Sequence, residues 1–219
     1  MGIETLLPRA AFLFLFLFLL GCAQQTRSSS KRALLVIAPS DFRDEELFDT
    51  QNALEARGVE TIIASTSLNE SRGTLGGIAK PTLLIANANA SDFDAVVFIG
   101  GSGVEKYALY ENEDVLKLAR EASSQNKVVG AICIAPRILA SAIRTEGSNA
   151  HQNPKGSDCA GVVKGKRATS FPDSTTISML KSAGANYTAK SVEIDGKLIT
   201  ANGPAPAREF GEAIADALD

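Results

Sequence analysis

The chain has 219 residues, 45% of them hydrophobic and 21% charged, a balance that suits a folded globular domain and excludes fibrous and disordered classes. With 22 Lys and Arg against 25 Asp and Glu, a formal net charge of -3, there is no basic surplus to neutralise phosphates, so no nucleic-acid partner is expected. A single histidine, His151, and three widely spaced cysteines, Cys22, Cys133 and Cys159, exclude a structural zinc site, and no metal or other cofactor is expected.

Residues 10–20 are an apolar run of Ala, Phe and Leu, preceded by Arg9 and closed by Gly21. Eleven helical residues rise about 17 Å, short of a ~30 Å hydrocarbon core, so the run reads as the apolar part of an export signal and not as a transmembrane helix. Leu19-Leu20-Gly21-Cys22 resembles a bacterial lipobox, in which cleavage before the cysteine frees a residue that carries lipid. The resemblance implies a signal peptide over 1–21, a lipidated Cys22 and flexible tether over 22–31, and an exported lipoprotein anchored to the membrane on the periplasmic side of the cell envelope. An ordinary cleaved signal, an uncleaved anchor and a mis-assigned start on a cytosolic protein are the alternatives.

The folded domain is expected over 32–219. Residues 33–38 are continuously apolar and Pro39 stops them, as in a strand buried on both faces of a parallel sheet. Residues 45–57 read as a helix ended by Gly58, and 59–64 as the next strand, a strand-helix-strand unit that makes the sheet parallel. Residues 73–77 and 78–85 read as a small hairpin or excursion. Residues 94–99 supply another apolar strand ending in Gly100-Gly101, and Asn112 caps a helix running to about Ser124. Residues 128–132 form a strand that runs straight into Cys133, with Pro136 opening a helix. The polar stretch 145–159 reads as an insertion. After it come a strand near 167–169, a helix near 174–182, paired strands around 192–194 and 198–201, and a final helix from about 205 to 218. This order predicts an α/β, three-layer flavodoxin-like sandwich with a mostly parallel sheet, in which ligands sit outside the carboxyl ends of the strands. The loop after the first strand, Gly100-Gly101 and Cys133 all fall at that edge.

A cysteine between a strand and a helix N-terminus sits on a sharp turn, where backbone N–H groups and the helix dipole favour thiolate. A small buried hydrophobe is the competing reading. Ala131-Ile132-Cys133-Ile134-Ala135-Pro136 resembles the nucleophile elbow of the ThiJ/PfpI superfamily, relatives of the parkinsonism-associated deglycase within the class I glutamine amidotransferase-like fold. Phe42-Arg43-Asp44-Glu45-Glu46-Leu47 resembles that family's acidic loop, with Glu46 on the position of its functional glutamate. Val97-Phe98-Ile99-Gly100-Gly101 resembles its oxyanion-binding loop, and residues 192–204 its closing hairpin and Gly-Pro turn. The resemblance runs in order over 32–218. It implies catalysis by Cys133 with Glu46, whose carboxyl, desolvated beside the sulfur, has a raised pKa and donates to thiolate. It also implies an oxyanion site of backbone groups at Gly100, Gly101 and Ile134. A solvated helix-start carboxylate and an ordinary tight turn compete for Glu46 and for the two glycines.

Two departures bear on the chemistry. Protease- and chaperone-like members carry His directly after the nucleophile, where this chain has Ile134, and deglycase-type members bring a His before a Pro where this chain has Phe171-Pro172. His151 is expected at the opposite edge of the sheet, since the helix opened by Pro136 carries the chain about 13 Å away over nine residues. The same distance argues against a Cys133–Cys159 disulfide, whose Cα atoms must lie within ~7 Å. The resemblance implies a cysteine-dependent protein acting on small reactive carbonyls or glycated substrates, a glyoxalase- or deglycase-like hydrolase in stress protection, as a homodimer. The alternative is a non-enzymatic redox-responsive or binding module in which Cys133 is oxidised to a sulfinate. Peptidase activity is disfavoured by Ile134.

Overall fold

Ala33, Leu34, Leu35 and Val36 are all buried, the burial that a strand covered on both faces requires. Their side chains alternate. Ala33 and Leu35 join one apolar cluster with Leu47, Leu54, Phe210 and Ile214, while Leu34 and Val36 join another with Val115, Leu118, Leu139 and Leu180. The computed structural model that carries these contacts describes residues 1–2, 30–143 and 161–219. The apolar leader, Cys22 and nearly all of its tether, the insertion, His151 and Cys159 lie outside the described residues.

In chain order the elements are β1 (Arg32–Val36), β2 (Ser40–Phe42), α1 (Asp44–Ala56), β3 (Glu60–Ser65), β4 (Ser71–Gly73), β5 (Ile78–Ala79), β6 (Leu83–Leu84), β7 (Ala95–Phe98), α2 (Gly103–Lys106), α3 (Glu113–Ser124), β8 (Val128–Ile132), α4 (Pro136–Ser141), β9 (Arg167–Ala168), α5 (Ser174–Ser182), β10 (Asn186–Tyr187), β11 (Val192–Asp195), β12 (Leu198–Ala201) and α6 (Ala207–Asp216). Among the described residues the main sheet has the order β11-β12-β8-β7-β1-β3-β6, parallel throughout except for the β11–β12 hairpin. Helices α1 and α6 cover one face, and α3, α4 and α5 the other. This is the three-layer α/β sandwich that the strand-helix alternation predicts. The Asn112 side chain accepts from Asp114 N and Val115 N, which is the expected cap of α3.

Three features differ from the sequence reading. The strand near 167 stays out of the main sheet and pairs in parallel with β10, whose two residues carry no period. The one-turn helix α2 follows Gly101 directly and is too short to leave a periodic signal. Helix α4 ends at Ser141, so it carries the chain only about 9 Å from the elbow. The chain nevertheless returns at the far edge, because Val162 shares a cavity of about 170 Å³ with Val129 and Leu198, at the starts of β8 and β12. Among the described residues no helix is long and apolar enough to cross a membrane.

Candidate functional site

Parallel strands bring their carboxyl ends to one edge, and β1, β7 and β8 each end there in a loop that carries chemistry. Strand β8 delivers Cys133, whose φ of 63° lies in the left-handed region that a side chain rarely adopts. Such a conformation costs on the order of 1 kcal/mol and persists only where its neighbours over-determine it. Here they do. Cys133 N–H donates to Ala201 O at 2.9 Å on β12, and Cys133 O accepts from Phe171 N at 2.8 Å. Pro136 then opens α4, where its missing N–H costs nothing.

Helix α1 delivers Glu46 in its first turn, fully buried. Its Oε2 accepts from Gly100 N at 3.0 Å. Its Oε1 has no nitrogen or oxygen partner among the described residues, which leaves the Cys133 thiol as the group with which that carboxyl interacts. Strand β7 delivers Gly100 and Gly101. A Cβ on Gly100 would stand 2.6 Å from both Cys133 Cβ and Glu46 Oε2, so only glycine lets the three approach. Gly101, at φ 105°, packs just as tightly on the β1 loop, whose Arg43 N donates to Gly100 O at 3.1 Å. Cys133, Glu46, Gly100, Gly101 and Ile134 are thus one cluster. It opens on a cavity of about 430 Å³ whose walls include Arg43, Ile134, Phe171 and Pro204.

The electrostatics follow from that burial. Desolvation pushes the Glu46 carboxyl up from 4.5 to about 7, against the hydrogen bonds with Cys133 and Gly100 and the charge of Arg43, which pull it down. Burial and then the Glu46 carboxylate push the Cys133 thiol up, while the N–H groups of Gly101 and Ile134 pull it down. The strand-turn-helix pattern counts only the last of these effects, so its bias toward thiolate is opposed in the folded protein. A neutral Glu46 removes the repulsion, and thiolate forms most readily while Glu46 holds its proton. The N–H groups of Gly101 and Ile134, which pull the thiol down, are the backbone donors such a site offers to an oxyanion formed next to the sulfur.

Phe171 lines the cavity, an apolar ring where the resemblance leads one to look for a base. Among the described residues Cys133 is a free thiol, and no group of three or more His, Cys, Asp or Glu is placed to hold a metal ion. Arg43 and Thr74 also line the cavity and were not legible as site residues. Arg43 lies inside the acidic-loop motif and could have been found there; Thr74 reaches the site through tertiary packing alone and left no signal.

The model of the DJ-1/PfpI family matches residues 31–159 and 157–217. An uncharacterized protein of Methanocaldococcus jannaschii is 36% identical over 97% of this chain and 98% of its own length. A deglycase of Pyrococcus horikoshii is 30% identical over 78% of this chain and 90% of its own. Among solved structures, a ThiJ/PfpI domain protein from Brachyspira murdochii superposes with a TM-score of 0.74 at 28% identity, covering 86% of this chain and 96% of that one.

Proposed function

The chain belongs to the DJ-1/PfpI family, and from that premise we propose that it is a cysteine-dependent enzyme of the glyoxalase or deglycase type, acting on reactive carbonyls in stress protection, with Cys133 as nucleophile and Glu46 as its proton partner. The observation that carries the reading is the buried Glu46 oxygen that has no nitrogen or oxygen partner and stands beside Cys133, the one thiol among the described residues that line the cavity. In this reading Cys133 sulfur bonds to the aldehyde carbon and the carbonyl π pair moves to oxygen. That oxygen is held by Gly101 and Ile134 N–H and takes the Glu46 proton. The resulting carboxylate takes the proton from the former aldehyde carbon, giving an enediolate, and returns it to the neighbouring carbon, while the hydroxyl proton of the first carbon passes to the oxygen of the second. This leaves a thioester, which water cleaves to a hydroxy acid and the thiol, whose proton passes back to Glu46. No histidine is needed for these transfers, which suits Ile134 and Phe171. Methylglyoxal consumption by the wild type, abolished in Cys133→Ala, is the expected result. Equal rates in the two proteins leave the second reading, for which the same unpartnered Glu46 oxygen is a donor to a sulfinate; mild peroxide then adds two oxygen atoms to the Cys133 peptide.

The same proposal makes the protein an exported lipoprotein held on the membrane through Cys22, as a homodimer. The support for the lipoprotein is the sequence alone, the short apolar run ending in Leu19-Leu20-Gly21-Cys22, and the support for the homodimer is membership of the family. Mass spectrometry of the membrane fraction is expected to find an acylated Cys22 as the first residue, and any other mature N-terminus removes this part of the proposal.

A further inference from the structure

Phe171 is 43% exposed at the mouth of the Cys133 cavity, yet its backbone is held on both sides. Its N–H donates to Cys133 O at 2.8 Å, and its own C=O accepts from Asp173 N at 2.8 Å. Asp173 is held in turn by Arg137 Nη2 at 3.0 Å. A Cβ on Gly203 would lie 3.5 Å from Phe171 Cδ2, so that side of the ring rests against the Gly203-Pro204 turn. The rest of the ring is open. With Ile134 and Pro204 it gives the cavity an apolar wall beside the sulfur, and the oxyanion donors, Gly101 N–H and Ile134 N–H, stand at the sulfur itself.

At about 430 Å³ the cavity falls within the range of pockets that enclose whole ligands, roughly 300–1,000 Å³. The smallest oxoaldehydes leave most of that space, and the ring, to water. An aromatic face whose open side has no partner among the described residues is satisfied by an apolar or aromatic group, which stacks on it and recovers the cost of exposing it. Among the described residues that line the cavity Arg43 is the one cation, and its guanidinium is already paired with Glu45, Nη2 to Oε1 at 3.0 Å.

We propose that the site selects oxoaldehydes that carry an aromatic or bulky apolar group, and that Phe171 is the residue that selects them. This rests on the carbonyl-directed reading of Cys133. The covalent step is the same for every aldehyde: the S–C bond forms, the carbonyl π pair goes to oxygen, and oxygen takes the Glu46 proton. The ring contributes to binding alone.

Alkylation separates the two layers of the claim. Phenacyl bromide and bromoacetone each form an S–C bond with Cys133 and release bromide, and differ in phenyl against methyl. With rates divided by those of glutathione, the wild type is expected to favour phenacyl bromide by about tenfold, and Phe171→Ala to bring the ratio within about twofold of glutathione's. The bromoacetone rate is expected to fall less than the phenacyl bromide rate, and circular dichroism together with urea unfolding reports that the variant is folded. A wild-type ratio equal to glutathione's, or one that survives in Phe171→Ala, overturns the inference. Turnover provides the second arm: KM for phenylglyoxal is expected to be lower than for methylglyoxal, and the ratio of the two to move toward one in Phe171→Ala. If neither aldehyde is turned over but the alkylation ratio holds, the enzyme reading fails while the selectivity of the pocket stands. If both are turned over with equal KM, the selectivity fails while the enzyme reading stands.

Discussion

Gly100 is where the nucleophile, its proton partner and the end of β7 come closest. A methyl group there would sit 2.6 Å from Cys133 Cβ and from Glu46 Oε2 and 2.8 Å from Ile132 O, and the last of these is backbone that cannot swing aside. Gly100→Ala is therefore expected to cost about 1–3 kcal/mol in overpacking and to slow Cys133 alkylation, because Glu46 loses its place at Gly100 N. Urea unfolding and the alkylation rate of the same variant check it, and a protein unchanged in both would mean that the three groups are not in contact. The resemblance marked Gly100-Gly101 as an oxyanion-binding loop, with an ordinary tight turn as the competing reading, and the Cys133 and Glu46 positions were readable from motifs. The desolvation of Glu46 was implied by the resemblance; that burial and Glu46 push the Cys133 thiol up was not, since it depends on how closely α1, β7 and β8 pack.

At the scale of the element, the first turn of α1 places three acids at the positive end of the helix dipole, and each is engaged differently. Glu45 pairs with Arg43 and Glu46 turns into the site. Asp44 is buried and accepts from Leu75 N at 2.7 Å and Gly77 N at 2.6 Å, which ties the β4–β5 hairpin to the helix and so sets the Thr74 wall of the cavity. Burial alone would raise the Asp44 carboxyl, but those two N–H groups outweigh it and hold it low. Asp44→Ala leaves both N–H groups without their acceptor, at a cost of about 1–3 kcal/mol. Hydrogen exchange at Leu75 and Gly77 is expected to accelerate well before that of β1; unchanged protection would show that the hairpin holds itself. Elements of this kind were the least legible. Continuous apolar runs announced β1, β7 and β8, and capping announced α3, whereas β10 and α2 are too short to leave a period; β9 was read as a strand, but its pairing with β10 outside the main sheet was not.

For the molecule as a whole, the Glu46 site is a pH-dependent load on stability. The carboxyl ionises near 4.5 in the unfolded chain and near 7 in the folded protein, so the folded state binds more protons between those values. A raised carboxyl pKa means that stability is highest below about 4.5 as far as this group is concerned, declines as pH rises through the interval, and reaches its full penalty above about 7. The penalty amounts to about 3 kcal/mol at most, from 1.36 kcal/mol for each unit. Carboxylates held low elsewhere, Asp41, Asp173 and Asp195 among them, act in the opposite sense but only below their ordinary value of 3.8, outside the interval. Urea unfolding at pH 5 and at pH 7.5 is therefore expected to find the wild type less stable at the higher pH. In Glu46→Gln, which keeps the shape but cannot ionise, that difference should shrink by most of the penalty. Parallel pH profiles for the two proteins would mean that Glu46 titrates as an ordinary carboxylate, and the neutral donor on which thiolate formation depends would then be absent at neutral pH.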